Sequence, residues 1–396
     1  MVRLGIDVLM ESVSPWRQGE RLGLLCNHAS VNRELIHTRT LLQRRFGADL
    51  RCIFSPQHGF NAEKQDNMIE SGHGVDDVTG LPLFSLYGKS RRPSREMFAC
   101  LDILLIDLQD VGTRVYTFLY TMAYCLEAAR TFGKKVIVLD RPNPIDGVTL
   151  EGNLLKSEHV SFVGLYPLPM RHGLTFAELA RFVNAEYAIG ADLEVIPMSG
   201  WKRRMYYRDT GLPWVFPSPN MPTPETAMVY PGQVLWEGTT VSEGRGTTLP
   251  FELTGAPYWE HDRLLSQLDA RKLPGCRFRP VIFEPTSGKW AGEACRGFHL
   301  HVTDKYSFRP YRTSLELLQI VMHCYAGDFS YKKPPYEYNF EQLPMDLILG
   351  DRGVRENLEN NVSVTEMERA WQEPLHEFDQ RRQNYLLYEN RSLGEL

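Results

Sequence analysis

The chain has 396 residues, of which 43% are hydrophobic, 23% charged and 11% aromatic, an ordinary globular balance in a chain too long for one small core. A net charge of −5 argues against a nucleic-acid binder, and the lack of a long uninterrupted apolar run argues against a membrane span. Asp7 and Glu11 interrupt the first residues and no apolar stretch precedes a small-residue cleavage site, so the cytoplasm is the expected compartment. Seven cysteines are scattered singly without C-x-x-C spacing, which predicts buried reduced thiols rather than a disulfide framework or a zinc site.

In chain order, Leu22 to Cys26 reads as a buried strand followed by N-H-A-S, and Leu35 to Phe46 has helical spacing that Gly47 stops. Arg51 to Phe54 is a second strand, leading into S-P-Q-H-G-F, and Leu83 to Leu86 is a short third. Asp102 to Leu108 is a strongly apolar strand with Q-D-V-G-T-R after it. Tyr116 to Thr131 is helical, and Lys135 to Leu139 is another buried strand that D-R-P-N-P breaks. Such alternation predicts an α/β fold with a mostly parallel sheet covered on both faces, in which ligands bind outside the carboxyl ends of the strands. Polar groups collect there: His28; Gln57 and His58; Asp107, Gln109, Asp110 and Arg114; Asp140, Arg141 and Asn143. Each also suits a turn or a loop ion pair. No G-x-G-x-x-G, phosphate loop or G-x-S-x-G is present, so no nucleotide cofactor and no serine nucleophile elbow is expected.

Further on, R-H-G-L-T (171–175) precedes a helix whose start carries the capping-box pair Thr175 and Glu178, giving Glu178 a structural job. His172 lies just before it, where either a ligand or the fold alone can occupy it. Trp201, Trp214 and Phe216 lead into P-S-P-N-M-P-T-P (217–224), a rigid loop whose aromatic neighbours suit sugar stacking or plain packing. Glu237 to Thr248, E-G-T-T-V-S-E-G-R-G-T-T, offers almost nothing to bury, yet is held between Trp236 and Leu249-Pro250-Phe251. That is the composition of a binding or catalytic loop. Past Pro250 the texture changes. F-H-L-H-V-T (298–303) alternates like a half-buried strand with His299 and His301 on one face, read as structural, and Ser314 to Cys324 is helical. Ser363 and Glu366 cap a charge-rich helix through Trp371, with Leu375 to Tyr388 beyond. The expected division is an α/β domain with a mostly parallel sheet over 1–250 that carries most site loops, and a smaller α+β domain over 251–396.

Taken together, S-P-Q-H-G-F (55–60), L-P-L-F-S-L-Y-G (81–88), D-L-Q-D-V-G-T-R-V-Y-T (107–117), L-D-R-P-N-P (139–144), R-H-G-L-T, S-P-N-M-P-T (218–223) and the 237–248 loop closely resemble the bacterial exo-β-N-acetylmuramidases, glycoside hydrolase family 171. The resemblance spans nearly the whole chain. It implies a Rossmann-like domain, a smaller C-terminal domain, a site in the cleft between them, and release of N-acetylmuramic acid from the non-reducing end of peptidoglycan fragments. One departure stands out: where the family commonly has P-E-H-G, this chain has Pro56, Gln57, His58 and Gly59, and an amide cannot supply an acid's proton.

Glycoside hydrolysis needs a carboxylic acid for the leaving oxygen and a second carboxylate, or the substrate's own acetamido oxygen, at the anomeric carbon. The catalytic candidates are Glu243 and Asp110, then Glu237, with His58 as orienter or shuttle. Substrate-binding candidates are Gln57, Arg114, Tyr116, Arg141, Asn143, His172, Asn220 and Arg245. A lactyl carboxylate calls for a planar bidentate cation, so one of Arg114, Arg141, Arg171 and Arg245 is expected to hold it. The partner is thus a small amino sugar, with no metal or cofactor. Two other classes stay open: a metal-dependent hydrolase using His58, His172 and the strand-end aspartates, and an inactive sugar-binding homologue suggested by Gln57.

Overall fold

Each apolar run forms a strand because both faces of the sheet it joins are covered. The computed structural model describes residues 1–389. Its strands are β1 (Leu22–Cys26), β2 (Leu50–Ser55), β3 (Gly74–Val75), β4 (Pro82–Ser85), β5 (Ile103–Asp107), β6 (Lys135–Leu139), β7 (Glu151–Leu154), β8 (Pro169–Arg171), β9 (Asp192–Ile196), β10 (Leu253–Ala256), β11 (Cys276–Phe283) and β12 (Cys295–Val302). Among the described residues the main sheet runs β3-β4-β2-β1-β5-β6-β9. It is parallel throughout except where β3 meets β4.

The helices are α1 (Gly5–Glu11), α2 (Thr38–Phe46), α3 (Arg95–Phe98), α4 (Phe118–Phe132), α5 (Phe176–Glu186), α6 (Pro224–Gln233), α7 (His261–Arg271), α8 (Pro310–Cys324), α9 (Pro344–Leu349), α10 (Arg352–Glu359) and α11 (Val364–Arg382). The strand pleat sorts the core into two layers. Leu24, Ile53, Leu105 and Ile137 pack with Ile6 and Leu9 of α1 and Leu42 of α2. Leu25, Phe54, Leu104, Ile106, Val136 and Val138 face the other way, towards α4 and α5. That second layer continues without a break into Trp236, Trp259, Phe298, Leu315 and Trp371. The C-terminal part is an antiparallel sheet, β10-β12-β11, with helices packed around it.

The strands at Leu22–Cys26 and Lys135–Leu139 fall where their apolar runs place them. The helix expected from Leu35 begins only at Thr38, because Asn32 Oδ1 accepts from the amides of Glu34 and Ile36 and holds them in a turn. The two C-terminal segments expected around Trp371 and Leu375 are one helix to Arg382, with Trp371 and Phe378 buried on the same side. Thr175 and Glu178 make the reciprocal capping box, and Glu178 also pairs with Arg203 at 2.7 Å. His299 and His301 receive Arg279, as befits structural histidines. No described helix is long and apolar enough to cross a membrane.

The C-terminal part docks closely through a glycine. A Cβ on Gly232 of α6 would run into the Pro310 carbonyl and Ser314 Oγ of α8. Gly232→Ala is therefore expected to cost about 1–3 kcal/mol through overpacking, read as a lower urea midpoint. An unchanged midpoint would mean that the helix pair opens freely. The contact matters because α6 runs straight into the short 3-10 turn Val234–Gly238 that carries Glu237.

Candidate active site

β1 lies between β2 and β5, the point where the strand order reverses, and the loops after those two strands open a mouth at their carboxyl ends. A cavity there is walled by Gln57 and His58 from the loop after β2, Tyr116 and Thr117 ahead of α4, and Ser218 and Asn220 from the proline-rich loop. Tyr230, Glu237, Arg245, Tyr336 and Glu337 complete it from the C-terminal half. Six residues picked out in the sequence thus converge: Gln57, His58, Tyr116, Asn220, Glu237 and Arg245.

His58 sits at φ 73°, followed by Gly59 at φ 80°, so the chain turns sharply as it leaves β2. Its Nδ1 is 2.8 Å from the Lys64 carbonyl. A carbonyl only accepts, so Nδ1 carries the hydrogen and Nε2 keeps its lone pair. Burial lowers the imidazole to about 4, leaving it neutral near pH 7. Burial likewise raises the Tyr116 phenol, and Ser218 lies beside it.

Arg245 organises the loop 237–248. Its Nη2 reaches Glu237 Oε1 at 2.6 Å and its Nε lies 3.3 Å from Glu243 Oε1. The second oxygen of Glu237 accepts from the Tyr336 hydroxyl at 2.7 Å and from Asn67 at 3.3 Å. Glu243 is held by Lys289 at 2.7 Å, and Lys289 is itself tied to the Trp236 and Val241 carbonyls. Glu243 lines an adjoining outer cavity with Lys289 and Trp290, and the two cavities share Asn67, Glu237, Arg245 and Tyr336 as a common wall.

Opposite this network stands Glu337. The Gln57 amide accepts from Thr117 Oγ1 and donates to Glu337 Oε1 at 2.9 Å, while the Tyr87 hydroxyl donates to Oε2 at 2.7 Å. The two carboxyl groups experience opposite fields. Burial would raise Glu237, but Arg245, Tyr336 and Lys289 together outweigh it and hold the group below its ordinary value. At Glu337 burial wins over the hydrogen bonds from Tyr87 and Gln57, and the carboxyl is raised.

The remaining candidates lie outside this cavity. Arg114 is wholly buried, and its guanidinium serves the carbonyls of Asn153, Leu168, Ile348 and Leu349. Arg141 forms a fork with Asp107 and donates to the Val31 carbonyl at the end of β5. Asn143 bridges the Ile145 amide and the Leu174 carbonyl, and Arg171 serves Ile145, Asp146 and Tyr206. His172 is buried 3.4 Å from Asp110, whose carboxylate accepts from the Gly112 amide. Glu243, Asp110 and Arg141 therefore do not share one pocket: only Glu243 stands by the cavities. The physical reason is that each of these inward residues serves at least one backbone group that would otherwise be buried unpaired. His58 and His172 are likewise in separate surroundings, and among the described residues no three metal-ligating side chains are grouped.

Glu337 and Tyr336 escaped the sequence reading. They belong to K-K-P-P-Y-E-Y-N, where a lone glutamate sits among aromatics after two prolines. The proline-and-aromatic texture that drew attention to 217–224, where it suits sugar stacking or plain packing, is found in this segment too.

Known proteins share both halves of this arrangement. A family model described as Exo-beta-N-acetylmuramidase NamZ, N-terminal matches residues 22–225, and its C-terminal counterpart matches 228–388. The chain belongs to the NamZ exo-β-N-acetylmuramidase family. It is 43% identical over 387 residues to the peptidoglycan beta-N-acetylmuramidase NamZ of Bacillus subtilis (strain 168), covering 98% of this chain and 91% of that one. Two crystal structures of DUF1343 family proteins from Bacteroides fragilis NCTC 9343 share the fold. One superposes with a TM-score of 0.89 at 33% identity, covering 98% of this chain and 99% of that one. The other gives 0.77 at 28% identity, covering 99% and 100%. The NamZ family match thus embraces both the sheet domain and the C-terminal part that meet at the cavity.

Proposed function

We infer that this member of the NamZ family is a glycoside hydrolase that releases N-acetylmuramic acid from the non-reducing end of peptidoglycan fragments. The observation that carries the reading is the single cavity in which loops from both halves set Glu237, buried and held ionised by Arg245, against the polar strand-end groups Gln57 and His58. A fixed anion of this kind suits the positive charge that develops at the anomeric carbon. It acts either at that carbon or on the acetamido group of an N-acetyl sugar, whose own oxygen can attack. His58, neutral and with Nε2 free to accept, can orient or deprotonate water.

Of the four arginines considered for the lactyl carboxylate, Arg245 is the one that lines the cavity. Its Nη1 makes only a 3.2 Å contact with the Gln65 carbonyl, so this edge of the guanidinium is the one to meet a substrate anion. Arg245→Lys is expected to lower kcat/KM for muramoyl glycosides by about tenfold or more relative to N-acetylglucosaminyl ones, because the bidentate fork is lost. Unchanged selectivity would remove Arg245 from that role. The reading itself is tested by incubating the full chain with a chromogenic N-acetylmuramoyl glycoside beside its N-acetylglucosaminyl counterpart. Cleavage of the first is expected, and turnover of neither would refute it. A cytoplasmic enzyme acting on imported wall fragments is part of the same proposal, to be checked by fractionation of the native host.

A further inference from the structure

We propose that Glu337 is the proton donor of this site, the acid that protonates the departing glycosidic oxygen. The assignment rests on the glycosidase reading above and adds the group that reading leaves unnamed. An alkoxide is a poor leaving group, so the cavity must offer an acid. The Gln57 amide cannot serve, and Glu237 is committed as an anion to Arg245 and Tyr336.

Glu337 differs in its partners. Among the described residues it forms no ion pair, and its oxygens receive two neutral donors, the Tyr87 hydroxyl and the Gln57 amide. Those donors fill two of the four lone-pair positions of a carboxyl group, which leaves room for a proton. The Gln57 amide is itself fixed from behind by Thr117, so the carboxyl is aimed by a chain of contacts reaching back to β2 and α4. The backbone adds an independent sign. Glu337 and Tyr338 lie successively at φ 45° and 64°, a left-handed turn that non-glycine residues adopt at a cost and that clusters at functional sites. The turn is pinned by the Tyr338 hydroxyl on the Met68 carbonyl at 3.2 Å and by Arg91 stacked 4.1 Å from the Tyr338 ring.

The electrostatics agree with this geometry. Burial raises Glu337, with Glu237 adding to the rise, while Tyr87, Gln57 and Arg91 pull it back. Of the other titratable groups around it, His58 is lowered and the phenols of Tyr87, Tyr230, Tyr336 and Tyr338 are raised, so these are neutral at pH 7. The charged Arg245 across the cavity is paired with Glu237 and Glu243. In the step itself, the C1–O bond breaks with its electron pair going to the departing oxygen. That oxygen takes the Glu337 proton and leaves as an alcohol. One water then supplies the hydroxyl at C1 and the proton that restores the carboxyl.

The test uses two muramoyl substrates on the full chain: the 4-nitrophenyl glycoside, whose phenolate leaves without help, and the N-acetylmuramoyl–N-acetylglucosamine disaccharide, whose alcohol does not. Glu337→Gln is expected to lower kcat/KM on the disaccharide by about a thousandfold and on the nitrophenyl glycoside by about tenfold or less. Because an acid must be protonated to act, wild-type activity on the disaccharide falls as pH rises through the Glu337 pKa. The Glu337→Gln variant loses that alkaline limb. Gln57→Glu is a second probe that leaves Glu337 in place. A carboxyl instead of an amide, 2.9 Å from Glu337, makes two acids share a proton, and the alkaline limb should move up by about one unit or more. Equal loss on both substrates in Glu337→Gln overturns the assignment, as does intact turnover of the disaccharide or an unmoved limb in Gln57→Glu. A wild-type chain that cleaves neither substrate removes the glycosidase reading, and this assignment with it.

Discussion

Glu237→Gln is expected to lower kcat on a muramoyl substrate by about a thousandfold, the scale of a preorganised charge at a reacting centre. The change keeps the shape and removes the charge. Glu237 is buried, yet it receives Arg245 at 2.6 Å and the Tyr336 hydroxyl at 2.7 Å, and both contacts favour its ionised form. An amide there leaves Arg245 with Glu243 as its remaining carboxylate partner, at the longer distance of 3.3 Å. Affinity and rate should therefore separate: KM moves little while kcat collapses, because the anion matters most when positive charge develops at the anomeric carbon. Since Arg245, Tyr336 and Lys289 hold the group below its ordinary value, the acid limb of wild-type activity should lie below the ordinary glutamate range. A Glu237→Gln enzyme within tenfold of wild-type kcat would show that another group stabilises the transition state. Tyr336→Phe, which removes one of the two main partners, should fall between the two.

Asp107→Ala is expected to destabilise the fold by about 3–5 kcal/mol, the cost of leaving a buried charge unpaired. Asp107 is fully buried at the end of β5, and both its oxygens receive the Arg141 guanidinium, Oδ2 at 2.9 Å. Thr38 at the start of α2 donates to the same carboxylate, and Ser30 Oγ caps the Asp107 carbonyl at 2.5 Å. The aspartate thereby ties β5, the loop after β1, α2 and the loop after β6 into one knot beneath the active-site mouth. The urea midpoint should drop accordingly. If the unpaired arginine is the cause, adding Arg141→Met to Asp107→Leu should recover most of the loss. A double variant no more stable than the single one would place the cost in the lost hydrogen bonds instead.

Much of the scaffold was legible residue by residue. Strands such as D-I-L-L-I-D-L and K-V-I-V-L declare themselves by continuous apolar character, and Gly133 ends α4 in the left-handed conformation that glycine favours. The loop 237–248 was legible for a complementary reason: it is too polar to be core and too well anchored to be slack, and it supplies Glu237 and Arg245 to the cavity. The arginines were harder. Arg114, Arg141, Arg171 and Arg245 all sit in site-like motifs, but three of them neutralise or satisfy groups inside the protein, and nothing local distinguishes a guanidinium facing a carbonyl cage from one facing a ligand. Asp110 and His172 misled in the same way, since each accepts from nearby backbone, Asp110 from the Gly112 amide and His172 from the Leu174 amide.

By itself the sequence determined the parallel sheet, the polar loops at its carboxyl ends and the family to which the chain belongs. Periodicity, turn chemistry and motif order are properties of neighbours along the chain. Tertiary structure alone decided which of those polar groups meet, and it brought in Glu337, whose partner Gln57 is 280 positions away. A side chain's role is fixed by what else claims its hydrogen bonds and its charge, and those claims come through space, from segments whose approach only the packed core sets.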